Sequence, residues 1–440
     1  MMQVSLSVTG LQVKTPALEA ATVLLSGPIE FELKSGEINV IRGGNGVGKS
    51  TLLRLMSNAL PGQGILFKPE FGLRDELLVD THLQIVMDHL GADSNQIEQL
   101  LEQVGLSNWQ YERIGTLSSG QRARLGLCTL LAGQFKVWLL DEPLNALDHD
   151  GVATLAKAIE IHFQRGGILF MATHVDAAVL SQHLSLVPVK EGWLEHGGLV
   201  GNFAPASADP LAPSEVSQLP VRVTLSALLK RDWAVAWGNP QALLWGALFH
   251  WMVLSFFGIG LGKPSAEFAQ VAVWVSLLLA LLLGAKDWFA EDHRAGWLGF
   301  VANLNADNIA FYWLMRVVFL ALCQALVLVP VTGLVALQLG LTGVQTLELV
   351  CALIAGIWAV APLLGLIALL VMLTRGGAVL VYLLALPLLV PVLIFGLEAS
   401  QAGGVGRTAV APLAVLASLG MLGCLLGPFV AKRLVALIQE

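Results

Sequence analysis

The sequence predicts an α/β domain on a mostly parallel sheet, followed by an all-α membrane domain of six helices, and three observations predict it. Over residues 1–200, short β-branched or aliphatic runs alternate with helix-like stretches, the pattern of parallel strands joined by helices. From Gln241 onward come six apolar stretches, each near the ~20 residues that span the hydrocarbon of a bilayer. The charge is also split: residues from Gln241 on hold 8 basic and 8 acidic side chains, so the first part carries the whole formal charge of −7. With 55% hydrophobic and only 13% charged residues, a fully soluble chain is excluded. The acidic first part argues against nucleic acid as a partner, because phosphate binding needs a basic face.

The elements follow in order. Met1–Gly10 carries neither a basic leader nor an apolar run, so no secretory signal is read there and the first domain is expected in the cytoplasm. Glu37–Ile41, Val137–Leu140 and Gly167–Ala172 are short, mostly apolar and end in polar residues, as buried strands delivering a site at their C-terminal ends do. The first domain is taken as residues 1–201. Residues 202–220 are rich in Ala, Ser and Pro and form a linker. Residues 221–239 place Leu225, Leu228, Leu229 and Val235 near one face and Lys230, Arg231 and Asp232 elsewhere, which predicts an amphipathic helix in the membrane interface.

Within residues 240–440 the spans are read as Ala242–Gly262, Phe268–Ala285, Ala310–Leu337, Leu347–Leu373, Ala378–Leu397 and Ala409–Val430. A cytoplasmic first domain then puts Lys286, Arg294, Arg375, Lys432 and Arg433 inside and only Lys263 and Arg407 outside, in accord with the positive-inside rule, and both termini are cytoplasmic. Pro387 and Pro391 permit either a kinked span or a re-entrant hairpin. Cys128, Cys323, Cys351 and Cys424 show no disulfide or zinc spacing.

The residues of the chemistry lie in the first domain. Gly43-Gly44-Asn45-Gly46-Val47-Gly48-Lys49-Ser50-Thr51 matches G-x-x-x-x-G-K-[ST] between a strand and a helix. Its glycines let backbone N–H groups cradle a β-phosphate, Lys49 reaches the β/γ oxygens, and Ser50 offers its hydroxyl to Mg²⁺. Val137–Leu140 runs into Asp141 and Glu142. Asp141 is expected in the Mg²⁺ shell, and Glu142 is expected to polarise the attacking water. Leu117-Ser118-Ser119-Gly120-Gln121 precedes a helix-like run from Arg122 to Leu131; alone it reads as an ordinary helix cap.

In this order the motifs resemble those of ATP-binding cassette (ABC) ATPases, a P-loop NTPase family. The resemblance implies that Ser118, Ser119, Gly120 and Gln121 are the signature that caps the γ-phosphate held by a second copy. It likewise implies that Asn145-Ala146-Leu147-Asp148 is the D-loop and that His174 contacts the γ-phosphate and orients the water. Three departures stand out. Glu70 occupies the place of the Q-loop glutamine that joins the metal shell, no Tyr or Phe occurs in Val13–Ala21 to stack on adenine, and Ser119 replaces a glycine.

A single cassette with six spans implies a homodimer with two ATPs. The order of the halves resembles a fusion of the CcmA and CcmB subunits of the haem-export machinery in bacterial cytochrome c maturation. Phe71-Gly72-Leu73-Arg74-Asp75-Glu76-Leu77 is similar to the CcmA segment P-G-L-K-x-E-L. Asp287-Trp288-Phe289-Ala290-Glu291-Asp292 before Gly296, and Leu386-Pro387-Leu388-Leu389-Val390-Pro391-Val392-Leu393-Ile394-Phe395-Gly396, are similar to CcmB segments. The resemblance implies an inner-membrane ATPase, with other cytochrome c maturation subunits and a haem chaperone as partners. ATP would drive either haem export or release of the haem-loaded chaperone. An exporter of a drug, lipid or polysaccharide shares the architecture. Residues 286–308, the longest polar stretch of the second half, are expected to dock on the cassette. His250, inside the first span, either ligates haem iron or hydrogen-bonds within the bundle.

Overall fold

The computed structural model describes residues 3–8, 12–13, 22–23, 29–60, 62–69, 72–174, 189–195, 198–201, 224–262, 264–285, 287–304, 306–374, 378–402 and 408–439. The expected linker, Glu70 and most of Val13–Ala21 lie outside them. Two compact units emerge. The first is Met1–Ala227 together with Ala295–Asn308, and the second is Leu228–Arg294 together with Ile309–Gln439.

Among the described residues the first unit holds two small sheets and one main sheet. Strands β1 (Gln3–Val8) and β4 (Ile29–Lys34) pair antiparallel, as do β2 (Gln12–Val13) and β3 (Thr22–Val23). The main sheet has the order β10-β9-β5-β8-β7-β6, from β5 (Ile38–Arg42), β6 (Gly64–Phe67), β7 (Val137–Asp141), β8 (Ile168–Ala172), β9 (Val189–Glu195) and β10 (Gly198–Gly201). All its pairs are parallel except β9–β10. The three strands expected from the sequence are neighbours, each within a residue of its expected ends. Their apolar runs make sense here, because the sheet is covered on both faces. Ile41, Leu139 and Phe170 pack with Leu52, Leu53 and Met56 of helix α1 (Lys49–Ala59) in one fully buried core.

Helices α2 (Val79–Leu90), α3 (Ile97–Gln103), α4 (Ser119–Ala132) and α5 (His149–Gln164) complete this unit, and one element encoded much later joins it. Residues 287–304 fold as two short helices, α9 (Asp287–Arg294) and α10 (Trp297–Leu304). Helix α10 packs against β6, burying Trp297, Leu298, Phe300 and Val301. The His89 ring meets Trp297 edge-on at 5.3 Å, and the Gly72 amide donates to the Ala295 carbonyl. Of the expected docking segment, residues 295–308 with α10 belong to the cassette's compact unit and α9 belongs to the helical one, so residues 240–440 are not one uninterrupted domain.

The second unit is helical: α6 (Leu225–Gly238), α7 (Gln241–Leu261), α8 (Ala266–Ala285), α11 (Ala306–Gln338), α12 (Gly343–Leu373), α13 (Ala378–Gln401) and α14 (Val410–Gln439). Among the described residues five helices are long and apolar enough to cross a membrane, and the apolar run of α13, Ala385–Gln401, is shorter. Helix α13 continues through Pro387 and Pro391. Large rings sit in notches left by glycine. A Cβ on Gly356 or Gly396 would lie 2.4 Å from the Trp274 ring, and one on Gly427 would lie 2.2 Å from Trp313.

Helix α6 corrects the sequence reading. Leu228 and Val235 are buried as expected, but Leu225 and Leu229 are exposed with Trp233 and Trp237, while Arg231 and Asp232 point inward. Charges tolerate that only when paired. Arg231 bonds Asp232 at 3.2 Å and also bonds Asp292 of α9; Arg316 of α11 bonds Asp232 and lies 3.5 Å from Asp292. The Tyr312 hydroxyl donates to Asp292, and Arg316 donates to the Trp288 carbonyl at 3.2 and 3.3 Å. Two cations and two anions thus tie α6, α9 and α11 together.

His250 is enclosed as well. Its Nε2 lies 2.9 Å from Thr332 Oγ1 and its Nδ1 2.9 Å from Ser276 Oγ, so both nitrogens are taken and the hydrogen-bonding reading holds in place of the haem ligand.

Removing one member of the buried cluster leaves its partners uncompensated. Asp292→Ala should lower the stability of the detergent-solubilised chain by about 3–5 kcal/mol. Glu291→Ala, which breaks the exposed Glu291–Arg294 pair, should cost about 0–1 kcal/mol. Thermal unfolding checks the contrast, and equal losses would contradict it.

Candidate active site

The site is assembled at the C-terminal ends of β5, β7 and β8. After β5 the chain turns through Gly43, where a Cβ would fall 2.6 Å from the Leu194 carbonyl oxygen, and Gly48, whose φ of 101° opens α1 in a conformation that side chains resist. The loop Gly43–Thr51 therefore reaches the helix start with backbone N–H groups unspent, which suits a phosphate.

Lys49 Nζ donates to the Gly43 and Gly44 carbonyls at 2.8 and 3.1 Å and approaches His174 Nε2 at 2.9 Å. Burial pulls the Lys49 pKa below its ordinary value, while the carboxylates of Glu142 and Asp141 oppose that shift.

Asp141 ends β7 almost fully buried, at 4% exposure. Its Oδ2 pairs with Lys68 Nζ at 2.8 Å, and its Oδ1 has no hydrogen-bond partner among the described residues. A buried, half-satisfied carboxylate beside a phosphate loop fits a hard divalent cation. Ser50 stands at the start of α1 near this end of the sheet. Lys68 was not singled out from the sequence. The signal is the register of β6 on β7: Phe67 pairs with Leu140, so the next residue along falls beside Asp141.

Glu142 has a φ of 51°, the only positive φ on a non-glycine among the described residues, and such a conformation costs about 1–2 kcal/mol. The turn sends its N–H to the Ala172 carbonyl at 2.8 Å. Its Oε2 accepts from the His174 amide at 3.2 Å and from Asn145 Nδ2 at 3.3 Å, and its Oε1 lies 3.3 Å from His174 Nε2. Lys49, Asp141, Glu142 and His174 therefore form one cluster.

The signature forms another. Ser118 caps α4, accepting from the Gln121 amide at 3.3 Å, while the Gln121 side chain accepts from the Ser118 amide at 2.9 Å. Asp148 caps α5 through the Gly151 amide at 2.8 Å and lies 3.7 Å from Arg124 of α4; a Cβ on Gly120 would sit 3.3 Å from its carboxylate. Ser119 does not take positive φ, so serine in place of glycine costs the backbone nothing. No hydrogen bond or ion pair joins Ser118–Gln121 to Gly43–Thr51 among the described residues.

Comparison with known proteins agrees with this geometry. Residues 27–145 match the family model described as ABC transporter, and residues 223–437 match the one described as CcmB protein. The cytochrome c biogenesis ATP-binding export protein CcmA of Rhodobacter capsulatus is 36% identical over 186 residues, which cover 40% of this chain and 86% of that protein. The chain belongs to the CcmA family. The CcmA of Zymomonas mobilis is 39% identical over 163 residues, 34% of this chain and 72% of its own, and that of Paracoccus denitrificans 36% identical over 156 residues, 33% and 73%. Here the CcmA-like cassette is fused to a CcmB domain in one chain, and it is an ATP-binding, ATP-hydrolysing ABC transporter protein of the membrane.

Lys49→Ala should abolish ATP binding. Glu142→Gln should keep binding while slowing phosphate release by about 100-fold or more. Nucleotide binding and phosphate-release assays on the purified chain check both, and an unchanged rate in either variant refutes the assignment.

Proposed function

We propose that the chain is one half of a homodimeric transporter of the cytochrome c maturation system. It hydrolyses ATP in the cytoplasm to drive haem export, or release of a haem-loaded chaperone, at the bacterial inner membrane. The observation that carries this reading is the fusion itself: one chain joins a CcmA-like cassette to a CcmB domain. Residues 1–201 serve as the ATPase domain, 202–220 as linker, 221–239 as interfacial helix, and 240–440 as a six-span domain in which residues 295–308 dock back on the cassette; both termini are cytoplasmic.

In the ATP site, Lys49 and the N–H groups of Gly43–Thr51 hold the phosphates. Ser118, Ser119, Gly120 and Gln121 of the partner copy close on the γ-phosphate, beside Asp148. Ser50, Asp141 and Glu70 would hold Mg²⁺, which would supply charge neutralisation to the phosphates. Glu142 takes the proton of the attacking water, and His174 orients that water and contacts the γ-phosphate. The water oxygen bonds to phosphorus as the bond to ADP breaks, with little covalent work left to the protein.

Chaperone release is favoured over haem export by His250, whose two ring nitrogens are held by Thr332 and Ser276, and by the pairing of the buried charges Arg231, Asp232, Asp292 and Arg316 among themselves. Cells lacking the gene should lose haem-stained c-type cytochromes, regain them with the wild-type chain and not with Lys49→Ala, and accumulate haem-loaded chaperone. Normal cytochromes in the deletion would refute the assignment.

A further inference from the structure

Lys68 is not explained by the ATPase mechanism above. It follows β6 directly, and the parallel register of β6 on β7 sets it beside Asp141, with Nζ 2.8 Å from Oδ2. The two partners differ in environment: the Asp141 side chain is 4% exposed and fixed at the strand end, whereas the Lys68 side chain is 45% exposed on a flexible stem. A desolvated carboxylate needs a counter-charge at all times, and a lysine ammonium is a compact point charge able to supply it and to swing away. Lys49 and Arg54 of α1 also feel the charge of Asp141, but Lys49 Nζ is spent on the Gly43 and Gly44 carbonyls and faces His174, and Lys68 is the cation within ion-pair distance among the described residues. Only one oxygen of Asp141 is taken by Lys68; Oδ1 is left buried without a partner among the described residues, so the pair does not replace what a divalent cation gives.

We propose that Lys68 is a tethered cation that neutralises Asp141 while no metal is bound and competes with the divalent cation for that carboxylate. Resting on the assignment of Asp141 to the metal, it makes Lys68 a positioning residue that sets how much Mg²⁺ the site needs before ATP is held tightly. In the metal-free site the lysine supplies the direct ion pair that Lys49 and Arg54, which act on Asp141 from farther off, do not; in the loaded site it is displaced toward solvent, where nearly half of it already lies.

The test uses the full chain in detergent in the Glu142→Gln background, so that ATP is not consumed, and follows ATP binding by calorimetry while MgCl₂ is titrated. Lys68→Met should lower the half-saturating Mg²⁺ concentration about 3-fold to 10-fold, because a competitor worth an ion pair is gone. Lys68→Arg, which keeps the charge, should stay near the parent value. In thermal unfolding without nucleotide, Lys68→Met should melt lower than the parent in EDTA and regain more of its midpoint on adding Mg²⁺; a merely structural role would lower both midpoints alike. A Mg²⁺ midpoint unchanged or raised in Lys68→Met overturns the proposal. Asp141→Asn separates the two levels: if it leaves the Mg²⁺ midpoint unmoved, the metal assignment itself fails, whereas a shift in Asp141→Asn alone refutes only the role of Lys68.

Discussion

A carboxylate taken out of water must be answered by positive charge, and the nucleotide end of this molecule is arranged around Asp141 for that reason. The strand that carries it is buried on both faces, which fixes the backbone but strips the side chain of solvent. Parallel pairing and helix α1 then decide who can answer: β6 on one side brings Lys68, while Lys49 and Arg54 of α1 lie close enough for their own pKa values to register the charge of Asp141. The strained turn at Glu142 follows, because the chain must leave the strand sharply for a second carboxylate to face His174 and not the core.

The helical unit obeys the same constraint more strictly. Arg231, Arg316, Asp232 and Asp292 are buried, and they pair with one another, with Tyr312 and the Trp288 carbonyl adding hydrogen bonds. Burying ions adds little net stability, but a set with a single satisfactory arrangement fixes how α6, α9 and α11 meet. Elsewhere this unit packs by shape. Trp274 and Trp313 fill the space that Gly356, Gly396 and Gly427 leave open, a tight fit between helices that would otherwise expose only aliphatic surface to one another.

The sequence made much of this legible where chemistry demands a fixed spacing. The loop Gly43–Thr51, the pair Asp141 and Glu142 and the cap Ser118–Gln121 each state their local geometry, because strand, turn and helix start must follow one another within a few residues. The apolar helices of the membrane half were legible from apolar length, but their ends were not: α14 runs on to Gln439, beyond the expected Val430, because its last turns carry polar residues that end the apolar signal and not the helix. What was not legible depends on register and on faces. Lys68 meets Asp141 across two strands more than 70 residues apart in the chain, and nothing near Lys68 announces it. Helix α6 was read with its charges outward, since periodicity records which residues share a face and not which face is buried when Arg316 and Asp292 wait on other helices. His250 was ambiguous for the same reason: Ser276 and Thr332 come from other spans.

Lys49, Asp141, Glu142 and His174 gather in one place while Ser118–Gln121 and Asp148 gather in another, and the proposed homodimer would join the two around ATP. Native mass spectrometry of the Glu142→Gln chain in detergent with MgATP tests this most directly. The account predicts a dimer carrying two ATP molecules. A monomer that holds one ATP and never dimerises would contradict it.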